Sequence, residues 1–139
     1  MKLLKDGNQV KIYLDEENNW IYLDWFGVVR NEWVIEGLEL LYEAFVETKV
    51  GVILNDNTNL HGTWTGVINY IVSDWYPRSL KAGYRRAAFI YSSDVFTRFS
   101  VDALREQDLD SPIEQITVNS MEEAKAWLKE QAEKDGVDF

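Results

Sequence analysis

The chain has 139 residues, 46% of them hydrophobic and 14% aromatic, with a formal net charge of −10 and a pI near 4.5. It is too apolar for a disordered chain and long enough to bury a core as one domain, and without cysteine it has no disulfide framework, thiolate nucleophile or cysteine-based metal site. Its negative charge excludes nucleic acid and anionic membrane surfaces as general partners.

In chain order, MKLLKDGNQV lacks the apolar core of a signal peptide, and no later apolar run reaches the roughly 18 residues of a membrane span. The expectation is an intracellular, cytoplasmic protein with no stable membrane insertion. VKIYLD (10–15) and WIYLDW (20–25) alternate in polarity on either side of DEENN, which predicts an antiparallel hairpin with one buried face, closed by Gly27. NEWVIEGLELLYEAFVE places Val34, Leu38, Leu41 and Phe45 at helical spacing, widened by Ile35 and Tyr42, with Asn31 as N-cap. VGVIL (50–54) reads as a strand buried on both faces. LNDNTNLHGTWTG (54–66) then reads as a loop, because Asn and Asp favour turns. In it Gly62 relieves backbone strain and Thr63 caps the next helix, whose stripe is Trp64, Val67, Ile68, Ile71, Val72 and Trp75.

Pro77 is expected to stop that helix. RAAFIY (86–91) is a second buried strand, and SSDVFTRFSVDALRE a helix capped by Ser93 or Asp94, with Phe96, Phe99 and Ala103 sharing a face. EQITV (114–118) is a short strand. Ser120 and Glu123 form a capping box ahead of Ala124, Trp127, Leu128 and Gln131, and residues 135–139 are expected to fray. Alternating strands and helices imply one α/β domain over residues 1–139, with a mixed, mostly parallel sheet, an N-terminal antiparallel hairpin and four helices.

Three stretches, ILNDNTNLHGTW, DWYPRSLKAGYRRAAFIYSSDVFTRFSV and SMEEAKAWLKEQ, resemble bacterial SpoIIAA-like (STAS/SEC14-type) proteins of unknown function. The element order likewise resembles the STAS fold of anti-sigma-factor antagonists. The resemblance implies a STAS-like domain that acts by binding another protein, and it directs attention to Thr63 and Thr65. In the antagonists a phosphorylatable serine opens the helix after such a strand, within an Asp-Ser-Ser-Gly signature; here the sequence reads HGTWTG. A helix N-terminus stabilises an added phosphate.

No catalytic signature accompanies these residues. Asp56 and His61 are one acid and the only histidine, without a serine or cysteine nucleophile, and too few ligands for a metal site. No glycine-rich phosphate motif occurs, and no cofactor is expected. The reading is therefore a non-catalytic regulatory domain acting through protein–protein interaction, modulated by phosphorylation near Thr63. The alternative is a small-molecule or lipid-like ligand held at the strand ends by Asn55, Asp56, Asn57, His61, Ser92, Ser93 and Asp94. Arg78, Lys81, Arg85 and Arg86 form a candidate patch for an anion or an acidic partner, or else a solvated loop. Trp25 and Trp33 are candidates for an interface, a homodimer contact included, or for partial burial in the monomer.

Overall fold

The alternation seen in the first strands continues through a six-stranded sheet whose strands lie in chain order. The computed structural model describes residues 1–137. Strands β1 (Lys2–Asp6), β2 (Val10–Asp15) and β3 (Trp20–Val28) form an antiparallel meander, and β4 (Val52–His61), β5 (Arg86–Ile90) and β6 (Glu114–Val118) add in parallel. The expected hairpin is thus part of a three-stranded unit. Strand β1 is short, half exposed and flanked by lysines, so it carries no clear alternation to read.

Three crossovers connect the parallel strands: α1 (Asn31–Thr48), a helical run from α2 (Ile68–Tyr70) to α3 (Tyr76–Lys81), and α4 (Val95–Gln107). Each steps one strand in the same direction, so the usual right-handed sense puts all three helices on one face. Their side chains share one core there with Ile21, Leu23, Ile53, Ala87 and Phe89 of the sheet. Helix α5 (Met121–Val137) covers the other face, where Ala124 and Leu128 meet Val52, Leu54, Ala88 and Ile90. Among the described residues no helix is long and apolar enough to cross a membrane.

Local chemistry explains where the expected boundaries hold and where they move. The predicted stripe Val34, Leu38, Leu41 and Phe45 is the buried face of α1. Arg30, not Asn31, takes its cap position, and the Arg30 N–H bonds Gln9 Oε1 at 3.0 Å, with the same amide donating to the Val28 carbonyl at 2.7 Å. Pro77 does not end its helix, which runs on to Lys81. A π turn, Ile71–Trp75, widens the helix ahead of the ring, which would otherwise press on a carbonyl one turn back. Trp64 and Trp75 are core residues as expected, and Trp75 Nε1 donates to the Leu38 carbonyl at 2.7 Å. The capping box forms, with Glu123 N–H bonding Ser120 Oγ at 3.2 Å. Of the segment expected to fray, Asp135 to Val137 complete α5, while 138–139 lie outside the described residues.

One close approach fixes how the α2–α3 crossover returns to the sheet. Gly51, just before β4, receives the N–H groups of Arg85 and Arg86 on its carbonyl at 2.9 and 3.3 Å. A Cβ at Gly51 would lie 1.8 Å from the Gly83 carbonyl oxygen, a backbone atom that cannot swing aside. Gly51→Ala is expected to cost about 3 kcal/mol in urea denaturation. A loss below about 1 kcal/mol would show that the crossover adjusts freely.

Candidate functional site

The segment read as a loop is largely strand: β4 runs on to His61, pairing with β3 from Ile21↔Ile53 to Val28↔His61 across a register irregularity. Its asparagines and Asp56 favour turns in isolation, but the nine-residue β3 supplies partners for Asn55, Asp56 and Asn59, with Asn57 in the irregularity between them. Strand β5 accompanies β4 only as far as Asp56↔Ile90. Beyond that point one edge of β4 has no partner strand, and side chains from the start of α4 serve it instead. Ser92 Oγ donates to the Leu60 carbonyl at 2.7 Å, and Thr97 Oγ1 to the Leu60 and Gly62 carbonyls at 3.2 and 2.8 Å. Gly62, at φ +104°, turns its N–H to Asp94 Oδ2 at 3.1 Å. Ser100 Oγ accepts the Trp64 N–H at 3.0 Å and lies 3.1 Å from Thr63 Oγ1.

These bonds bring part of the predicted set together. His61 Nδ1 lies 3.5 Å from Asp94 Oδ2, and Thr63 and Thr65 stand exposed beside them, their hydroxyls 3.3 Å apart. Asp94, one of the two residues expected to cap α4, does so, accepting from Phe96 and Thr97. Burial alone would raise its carboxyl, but N–H groups of Phe96, Gly62 and Thr97 hold it below the ordinary carboxylate range, with His61 contributing. Thr63 accepts the Thr65 N–H at 3.4 Å, ahead of a 3-10 turn, Thr65–Val67. Ser92 is buried and Ser93 exposed.

Asn55, Asp56 and Asn57 do not join this cluster, because alternation along β4 sends them to opposite faces. Asn55 and Asn57 face the three crossover helices, and Trp25 Nε1 donates to Asn55 Oδ1 at 2.6 Å. Asp56 lies on the other face, where it accepts from the Tyr22 hydroxyl at 2.6 Å and from both the amide and the hydroxyl of Thr58. Among the described residues Asp56 and His61 thus share no hydrogen-bond partner, and no hydrogen bond joins His61 to a hydroxyl. Among the described residues no group of three His, Asp or Glu side chains gathers as a metal site.

Three features escaped the sequence reading. Asp24 stands across from Asp56, and burial together with the Asp56 charge raises its carboxyl, against a hydrogen bond from Asn59. Burial and the Asp56 hydrogen bond likewise push the Tyr22 phenol up. The signal was present in WIYLDW, whose even positions Tyr22 and Asp24 must share a face. Second, the Phe96, Phe99 and Ala103 stripe is not the buried face of α4: Thr97, Ser100, Val101 and Leu104 are. Phe96 and Phe99 are 63% and 64% exposed, and Val95 67%. Third, Asn57 is 3% exposed and its Nδ2 has no hydrogen-bond partner among the described residues.

The basic residues separate. Arg78 is bound by Glu39 at 2.8 Å and Asp74 at 3.3 Å, and with Lys81 and Lys49 it borders a shallow groove beside Tyr42. Arg86 is buried between Glu114 at 2.6 Å and Asp135 at 2.9 Å, and Arg85 reaches the same Asp135 at 3.2 Å. They are not one anion patch, because acids from α1, β6 and α5 already hold three of the four. Trp25 is buried and so does not mark an interface, whereas Trp33 is half-buried under the Arg30 guanidinium at 4.3 Å. No family model, curated protein or solved structure matches the chain.

The carboxylate pair gives a pH test. Asp24 has its folded-state pKa raised, so its ionisation opposes folding above that pKa, and the penalty vanishes below the unfolded value near 3.8. Asp24→Asn is expected to melt higher than wild type at pH 7, and the gap is expected to narrow toward pH 4. A variant that melts lower at both pH values would contradict this assignment.

Proposed function

We propose that the chain is a non-catalytic intracellular binding domain of STAS type that recognises another protein through the surface around the start of α4. The exposed trio Val95, Phe96 and Phe99 carries this reading. Three large apolar side chains on consecutive turns of one helix form a patch that bulk water does not favour, and such patches mark sites of association. The patch continues through Asp94 to His61, whose strand partner Val28 is 73% exposed.

Thr63 and Thr65 border it, since Thr63 bonds Ser100, the next residue after Phe99. A phosphate on either threonine would add two negative charges at the rim of an apolar surface, near the Asp94 carboxylate. That changes which partner fits without any change of fold. The STAS assignment rests on the three sequence stretches and on the hairpin-led strand and helix repeats.

The double variant Phe96→Asp, Phe99→Asp tests the surface. Both residues point to solvent, so melting is expected to shift by no more than a few degrees. The proteins that cross-link to the wild-type chain in extracts of its source are expected to be lost. An unchanged set of cross-linked proteins, or a variant that no longer folds, would contradict the proposal.

A further inference from the structure

Beyond surface recognition, the structure assigns a second binding site, for a small neutral carbonyl compound, to the interior of the chain. A cavity of about 60 Å³ lies between the sheet and the crossover helices. A single water needs roughly 10–15 Å³, so the space suits a compact molecule of about four to six heavy atoms. Its walls include Trp25, Leu38, Ile71, Trp75, Tyr84 and Phe89, all buried, and offer little to a cluster of waters, each of which needs two or more polar partners.

Polar side chains also line it, Asn57 among them. Asn57 is 97% buried, lines the cavity, and keeps an amide nitrogen for which the described residues supply no acceptor. Buried donors are almost always bonded, and a leucine would fill this position without leaving one unmatched. Its neighbour on the same face, Asn55, has its carbonyl oxygen engaged by Trp25, so that amide cannot turn its oxygen to Asn57 without breaking the bond. The missing partner is therefore an acceptor inside the cavity.

A compact ring bearing a carbonyl meets both demands, with an apolar body against the aromatic walls and one acceptor for Asn57 Nδ2. A carboxylate does not, because no cation in the buried wall would balance it; Arg105 lines only the half-buried rim and is bonded to Thr117. Half-buried Asn55, Arg105 and Gln115 form the side from which a small molecule enters.

Cyclopentanone and cyclopentane test this, because they differ only in the carbonyl. With the full chain, tryptophan fluorescence titration is expected to give about tenfold tighter binding of cyclopentanone, the worth of one buried hydrogen bond. Asn57→Leu is expected to abolish that preference while cyclopentane still binds. On the wild-type chain, the side-chain amide resonance of Asn57 is expected to shift with cyclopentanone and not with cyclopentane, a readout that needs no variant. Equal affinities, an unmoved Asn57 resonance, or a cavity that holds ordered water only and binds neither compound would overturn the proposal.

Discussion

Strand β4 outruns its neighbour, and the arrangement around the candidate site follows from that mismatch. Past Asp56, Asn57 and Leu60 are buried and their backbone groups need partners, yet β5 has already turned away at Ile90. The chain answers with hydroxyls and a carboxylate. Ser92, Thr97 and Ser100 bond the segment from Leu60 to Trp64, and Asp94 caps α4 and holds Gly62 with the same side chain. Because its polar face is committed to β4, α4 presents Phe96 and Phe99 to solvent. A helix whose buried face is half polar leaves its most apolar residues outside, the reverse of the usual amphipathic division.

Alternation along the same strand divides the remaining polar residues. Asp56 goes to the face with Tyr22 and Asp24, where the sheet holds two carboxylates side by side. Asn55 and Asn57 go to the helix face and end against an aromatic interior. A run that reads as one polar cluster becomes a surface at its end, a carboxylate pair on one side and a lone buried amide on the other. Among the described residues Asp56 bonds Tyr22 and Thr58 while His61 pairs with Asp94, so Asp56 and His61 do not form an acid–base pair.

Much of the fold was legible because the packing periods were clean. The stripes Val34–Leu38–Leu41–Phe45 and Trp64–Ile68–Ile71–Trp75, and the run RAAFI, are buried at every one of these positions. The misreadings share a physical cause: tertiary partners overrode local preference. Asn55, Asp56 and Asn59 in LNDNTNLH prefer turns until β3 supplies a ladder, and Pro77 breaks an α-helix unless a π turn makes room. Phe96 and Phe99 look like core until Thr97 and Ser100 are seen to have backbone partners. The site was legible in part. His61, Thr63, Thr65 and Asp94 are adjacent in space as well as prominent in sequence, whereas Asn57 gains its significance from a cavity that no pattern of residues announces.

Amide hydrogen exchange at Gly62 and Trp64 tests the central claim that this surface is built by α4 upon the unpaired edge of β4. Both N–H groups are held only by α4-side acceptors, Asp94 Oδ2 and Ser100 Oγ. They are expected to exchange at rates close to those of the neighbouring β4 amides, and to lose that protection together when Thr97→Val removes the bond to Gly62 and loosens the seat of the helix. Exchange at Gly62 and Trp64 as fast as in an open loop in the wild-type chain would contradict it.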